Sequence, residues 1–138
     1  MAEILVPVSI GELVDKITIL EIKAERIRDA VKLANVEAEL AALRRTWAAS
    51  GLDAASVAKP WADLKAVNLR LWDIEDRIRD KEREAAFDAE FIALARAVYF
   101  ENDDRARFKR EINQSLGSAY VEEKSYASYQ RGAERPQV

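Results

Sequence analysis

The sequence predicts an all-α fold: an antiparallel bundle of about four main helices, with a short extended N-terminus and a C-terminal tail. Ala, Leu, Glu, Lys and Arg dominate the chain, and these residues favour helix. Only four glycines and three prolines interrupt the 138 residues. Apolar residues recur every three or four positions over long runs, which is the spacing of one helix face. The length fits a single domain.

The first predicted helix begins at Ser9, where Ser9-Ile10-Gly11-Glu12 fits a capping box. Its apolar stripe consists of Leu13, Ile17, Leu20, Ala24, Ile27 and Val31. Ile10, Val14, Ile19 and Ile22 widen that stripe. A helix that is apolar over so wide an arc is either central in its bundle or in contact with another subunit. The pattern therefore favours a homodimer over a monomer.

The second and third helices are predicted where the apolar spacing is interrupted and a new apolar stripe begins. Asn35 is the predicted N-cap of the second helix, and Gly51 is placed to end it. The third helix opens at either Ser56 or Lys59-Pro60, because proline is tolerated in a first turn, and it runs to about Glu84. The apolar positions of these helices are Val36, Leu40, Leu43 and Trp47, then Leu64, Val67, Leu71, Ile74 and Ile78.

The fourth helix is predicted to start at the cap Asp88 and to stop at Gly117. We therefore expect one helical-bundle domain over residues 1–117 and a partly docked tail over 118–138. Alternating apolar residues near both ends of the chain leave open a short β-ribbon between the termini.

The composition excludes several kinds of chemistry, because the chain has no histidine and no cysteine. Disulfides, thiolate nucleophiles, Ser-His nucleophiles and ordinary zinc sites are ruled out. Any catalysis would depend on carboxylates, Lys, Arg, Tyr or an oxygen-bound cation. No glycine-rich loop is present to hold phosphates, and we expect no cofactor and no metal.

The net charge and the hydropathy of the chain exclude two classes of partner, nucleic acids and the membrane interior. A formal charge of -3 argues against a nucleic-acid-binding protein, which usually carries a basic excess or a basic face. The N-terminal run Ile4–Val8 is too short for a membrane span and has no basic leader. We therefore expect a cytoplasmic protein without membrane insertion.

The most unusual segment of the chain is the polar run from Glu101 to Arg107 in the fourth helix. Between Val98 and Phe108, the positions that should continue the apolar stripe carry charged or amide side chains. Either the helix is broken near Asn102, with Asn102 or Asp103 capping a new helix, or polar groups enter the interior or line a cleft.

A second polar group of residues lies on the third helix, where Asn68, Trp72, Glu75 and Arg79 share one face. In an antiparallel hairpin that turns near Ala86, Asn102 and Arg105 fall level with this face. Such a cluster suits a small anionic ligand, although a structural salt-bridge network or a hydrated helix face has the same sequence pattern. The candidate ligand-binding residues are Asp15, Lys16, Asn68, Trp72, Glu75, Arg79, Asn102, Asp103 and Arg105.

Two of these candidates, Asp15 and Lys16, also have ordinary structural interpretations. Asp15 near the start of a helix is favourable to the helix dipole, and Lys16 can cover apolar surface while its amine reaches water. Carboxylates such as Glu75 and Asp103 could bind Mg²⁺ only if they converge.

The chain resembles an uncharacterised family of small all-helical bacterial proteins, a domain of unknown function. The resemblance rests on Ser9–Ile19, Leu71–Arg79, Asn102–Arg105 and Lys109–Asn113. It implies a bacterial source and a link to genes for surface-polysaccharide and glycosyltransferase functions. A weaker resemblance, from Val14-Asp15-Lys16 to Arg26, is to the first helix of the all-helical chorismate mutases.

Three functions follow from these features. The leading prediction is an accessory binding or interaction protein in glycan metabolism, which recognises either a protein partner or a small anionic ligand. The alternative is an enzyme acting on a phosphorylated sugar or nucleotide, with Glu75 or Asp103 as base or metal ligand and Arg105 on the phosphate. The third is a helical enzyme of the chorismate mutase type.

Overall fold

The all-α prediction is confirmed by the computed structural model, which describes residues 2–129 and 134–138. The helices are α1 (Ile10–Arg26), α2 (Ala30–Ser50), α3 (Ala58–Arg83) and α4 (Ala89–Leu116), and a 3-10 helix over Ala54–Val57 precedes α3. The described residues contain no strand, so the parts of both termini that can be followed do not form the β-ribbon that the sequence left open.

Four of the predicted helix ends are confirmed. The side chains of Ser9 and Asp88 accept hydrogen bonds from the first turns of α1 and α4. Gly51 and Gly117 end α2 and α4 in the left-handed conformation, with φ values of 71° and 64°. The capping box is only half formed, because the Glu12 carboxylate bonds Lys109 on α4.

The predicted start of α2 at Asn35 is wrong. Asp29 is the N-cap, and its carboxylate accepts from the backbone N–H of Lys32 at 2.9 Å. The N-cap therefore lies six residues earlier than predicted, and Val31 belongs to α2 instead of to the stripe of α1.

Of the two alternatives for the polar run, the break near Asn102 is wrong, because α4 is continuous from Ala89 to Leu116. The side-chain amide of Asn102 donates to the carbonyl of Val98, four residues earlier, at 2.9 Å. That bond lies within the helix and does not cap a new one. The helix therefore carries its polar side chains into the interior.

Helix α1 is the central element, and it packs against α2, α3 and α4. Val14, Ile17, Leu20 and Ile22 are all buried. The wide apolar arc of α1 is thus covered within one chain, and it no longer argues for a second subunit. Helices α3 and α4 form the antiparallel hairpin expected from the sequence, through a turn in which Ala85 has a φ of 52°.

The described parts of the tail contact α4. Arg135 bonds Glu101 at 2.7 Å and Asp104 at 2.8 Å. The Tyr129 hydroxyl bonds Asp103, and its ring packs against Phe100 with centroids 4.8 Å apart. At the other end of the chain the apolar N-terminal segment is exposed, with Ile4 at 86% and Leu5 at 85%.

Candidate functional site

A buried carboxylate, Asp15, lies where α1, α3 and α4 meet, and it is only 1% exposed. Both of its oxygens bind Arg105: Nε is 2.9 Å from Oδ1 and Nη2 is 2.5 Å from Oδ2. Asn68 on α3 also donates to Oδ1, at 2.9 Å. Burial of an ionised carboxylate is unfavourable unless it is paired and hydrogen-bonded, and this arrangement supplies both conditions.

The local sequence of each helix places these groups. Thr18 follows Asp15 by one turn of α1, so both face α3, and Asn68 donates to the Thr18 hydroxyl at 3.0 Å. The Thr18 hydroxyl in turn donates to the carbonyl of Asp15 at 2.8 Å. Arg105 reaches Asp15 from a part of α4 between the buried residues Ala97 and Phe108, where the helix already faces the core.

Above this network lies a surface cavity of about 460 Å³, called here the central groove. It is lined by Ile19, Asn68, Leu71, Trp72, Glu75, Asp76, Arg79, Asn102 and Arg105. The Arg105 side chain is 30% exposed, whereas the Asp15 carboxylate behind it is nearly inaccessible. One guanidinium is therefore held firmly by the protein and still open to a ligand.

Asn68 presents an acceptor to the central groove. Its Nδ2 donates to Asp15 and Thr18, which leaves Oδ1 without a donor among the described residues. No side-chain nitrogen or oxygen that is fully buried in this part of the chain lacks a hydrogen-bond partner. Oδ1 is therefore at least slightly accessible, and Asn68, which is 6% exposed, lines the central groove.

Six of the nine candidate residues line the central groove: Asn68, Trp72, Glu75, Arg79, Asn102 and Arg105. Asp15 lies beneath it and contacts Arg105. Lys16 is half exposed and lies 3.8 Å from Glu12, and Asp103 bonds the tail residue Tyr129; neither lines the groove. Arg26, which carried the weaker resemblance, pairs with exposed Asp73 at 3.3 Å.

Sequence reasoning missed several buried polar residues beside the network. Lys109 is 5% exposed and binds both Glu12 and the tail residue Glu122. Glu101 is 6% exposed and accepts from Arg70 at 2.9 Å. The spacing of the sequence could have identified them. The polar residues of α4 recur every four positions and form one polar stripe along the helix: Glu101, Arg105, Lys109 and Asn113.

The charges of this stripe are matched by their partners. The hydrogen bonds that Arg105 donates to the Asp15 carboxylate raise the pKa of Arg105. Burial acts to lower the pKa of Lys109, but the hydrogen bonds to Glu12 and Glu122 outweigh it and raise that pKa. The bond from Lys109 lowers the pKa of Glu122. Arg105, Lys109 and Glu122 are therefore charged near neutral pH, and their hydrogen bonds hold this part of the bundle in place.

The carboxylates that could have shared a cation do not converge. Glu75 and Asp76 line the central groove, while Asp103 and Asp104 bond residues of the tail. Within residues 2–129 and 134–138, no group of three or more acidic side chains is arranged to hold a metal ion. In the same ranges, no helix combines the length and the apolar character needed to cross a membrane.

Comparison with known proteins yields one match. The model of a family of unknown function, DUF6165, matches residues 4–135. No curated protein and no solved structure shows significant similarity to the chain. The matched range includes all four helices and most of the tail.

Proposed function

Because the chain belongs to DUF6165, a family of unknown function, we propose its function from the central groove: it binds one small, sugar-like ligand carrying at most one anionic group. The observation that carries the proposal is Arg105, which buried Asp15 fixes from behind while its side chain stays 30% exposed at the groove. A donor held in place before binding loses little freedom when a ligand arrives.

The balance of charge supports a neutral or singly anionic ligand over a polyanion. The guanidinium groups of Arg79 and Arg105 are matched in number by the carboxylates of Glu75 and Asp76. Arg79 also bonds Glu75, and Arg105 bonds Asp15. Sites for diphosphates usually have surplus cations or free helix N-termini, and the lining of the central groove has no such surplus.

The mixture of polar and apolar groups supports a ligand rich in hydroxyls. Asn68 Oδ1 and the carboxylates of Glu75 and Asp76 accept hydrogen bonds, while Arg105 donates them. Hydroxyl groups can serve both kinds of partner. Trp72 supplies an aromatic wall, and such walls suit the apolar face of a ring.

We propose that this binding serves bacterial glycan metabolism, in an accessory and non-catalytic role. The setting comes from the family resemblance of the sequence, with its link to surface-polysaccharide and glycosyltransferase genes. An enzyme using Glu75 as base is the competing proposal. The bond from Arg79 to one oxygen of Glu75 supports binding instead, because it orients that carboxylate and leaves the second oxygen to accept from a ligand hydroxyl.

The test is calorimetric titration with glucuronate, N-acetylglucosamine, a hexose 1-phosphate, a nucleotide sugar and ATP, each with and without Mg²⁺. We expect glucuronate, which carries one negative charge, to bind without turnover and more tightly than the hexose 1-phosphate, whose phosphate is close to dianionic at neutral pH. Trp72→Leu and Arg105→Lys should each weaken that binding by at least about tenfold, which corresponds to about 1.4 kcal/mol. Arg77→Lys, an exposed site on α3 that pairs with Glu90, is the matched control.

Two results would overturn the proposal. One is the absence of binding by every compound in the set, and the other is binding only by ATP or the nucleotide sugar. Chemical conversion of a bound sugar phosphate would replace the binding role with the enzymatic one.

A further inference from the structure

Helix α2 is covered on one side only. Val36, Leu40, Leu43 and Trp47 pack toward α1, and Leu40 is the only buried residue among the 21 of the helix. The other side carries Ala34, Ala38, Ala41 and Ala48, which are all exposed. A helix with apolar residues on two faces usually has a packing partner on each.

A groove of about 640 Å³ lies between α1 and the edge of this open side of α2, where it includes Ala41. Glu21, Ala24 and Glu25 of α1 line one wall, and the α2 wall includes Glu37, Ala41, Arg44 and Arg45. It is separate from the central groove, because the two share no lining residue. We call it the α1/α2 groove.

We propose that the α1/α2 groove is occupied by α2 of a second copy of this chain, which lies antiparallel about a two-fold axis at Ala41. In a two-fold interface each surface must complement itself. Ala34 and Ala48 lie seven residues on either side of Ala41, so Ala34 falls level with Ala48 of the partner subunit, and Ala38 falls level with the partner's Arg44. Small side chains at Ala34, Ala41 and Ala48 allow the two helices to approach closely.

Charge complementarity identifies the second copy as the occupant. Glu37 lies one turn before Ala41, and Arg44 and Arg45 lie one turn after it. The two-fold axis therefore brings Glu37 of each subunit next to the arginines of the other. Within the described chain Glu37 and Arg45 make no ion pair, and Arg44 is 3.3 Å from Glu21. Both copies gain the same opposite-charge contact, which fixes the register.

The expected dimer is weak. A 21-residue helix is about 31 Å long, and a pair of such helices buries an area at the lower end of specific interfaces. We therefore expect a dissociation constant in the micromolar range.

Sedimentation velocity on the full chain, from about 1 µM to about 1 mM, tests the proposal. The wild type should shift from monomer to dimer over this range. Ala41→Glu brings two carboxylates together on the axis, and Glu37→Arg brings arginines together. Each should raise the dissociation constant by at least about tenfold. Glu82→Arg makes the same charge change on an exposed site of α3 and should leave dimerisation unchanged.

A mixing experiment tests the register. The double variant Arg44→Glu/Arg45→Glu should also fail to form homodimers, yet it should pair with Glu37→Arg, because both contacts in the mixed dimer are between opposite charges. Circular dichroism checks that each variant is folded. A wild type that stays monomeric at about 1 mM would overturn the proposal. So would a dimer that survives Ala41→Glu, or variants that do not pair on mixing.

Discussion

Asp15 is the residue on which the central groove depends, because its carboxylate is buried and three helices meet around it. Arg105 neutralises the charge, and Asn68 and Thr18 hold the surrounding hydrogen bonds. Removal of one member of a buried ion pair leaves the other charge without compensation, which is far more unfavourable than loss of a surface pair.

Arg105→Met should therefore lower the free energy of unfolding by about 2–4 kcal/mol, because Asp15 would stay buried without its cation. Arg107→Met is the matched control on the same helix. Arg107 is 58% exposed, pairs with the carboxylates of Asp104 and Glu111, and lies 4.6 Å from the centre of the Phe108 ring, so we expect a change of at most about 1 kcal/mol. Urea denaturation measures both. Equal effects of the two substitutions would show that the Asp15–Arg105 pair is not a buried one.

Tyr129 should ionise only at high pH. Burial and the bond to Asp103 raise its pKa to about 12. Since the folded value lies above the ordinary value of 10.0, this contribution to stability is complete below pH 10 and is lost as the pH rises toward 12. Alkaline titration by tyrosinate absorbance measures it. Tyr129→Phe should remove the titration phase near pH 12, and an unchanged profile would contradict the assignment.

The candidate residues show what sequence spacing can predict about a site. Asn68, Trp72, Glu75 and Arg79 share a helix face because of their spacing, and the length of the hairpin brings Asn102 and Arg105 level with them. Spacing could not place Lys16 and Asp103, because their directions depend on how α1 and α4 turn within the bundle. The role of the central groove as a binding site stays a prediction.

At the scale of the helices, the contact between α1 and α4 is unusually close at Gly11. Its backbone N–H donates to Asn113 Oδ1 at 2.6 Å. A Cβ at this position would lie 2.4 Å from the carbonyl oxygen of Lys109, so the two backbones could not keep their present separation.

Gly11→Ala should therefore destabilise the protein by about 2 kcal/mol, although alanine is normally about 1 kcal/mol better than glycine within a helix. Thermal denaturation shows directly whether the substitution raises or lowers the stability of the protein. Gly51→Ala is a useful comparison, since a Cβ there meets nothing within 4 Å and only the left-handed backbone is strained. A stabilised Gly11→Ala variant would show that α1 and α4 can move apart freely.

The helix ends show why some boundaries are predictable and others are not. Ser9, Asp88, Gly51 and Gly117 act through their own backbone or side chain, so a local pattern identifies them. Asp29 and Asn35 are both acceptable caps, and the choice between them depends on where α2 meets α1. The polar run in α4 resembled a break only because its partners lie on α1 and α3, far away in the sequence.

At the scale of the whole molecule, the sequence predicts the helix number and the α3–α4 hairpin, because both follow from period and turn position. The wide apolar arc of α1 allowed two alternatives, a central position in the bundle or contact with another subunit. The packing of α1 against α2, α3 and α4 supports the central position. Because α2, α3 and α4 cover the apolar arc of α1, the proposal of a dimer depends on the open side of α2 instead.

The hydrogen bonds between α1 and α4 also have a consequence for folding during translation. Gly11, Glu12 and Asp15 bind partners that follow by 102, 97 and 90 residues. At common rates of translation, α1 waits about 5–20 s for those partners. Ribosome-bound chains that stop before Arg105 should be cut readily by protease, and chains that expose all of α4 should resist. Early resistance would mean that α1 packs stably before its partners are synthesised.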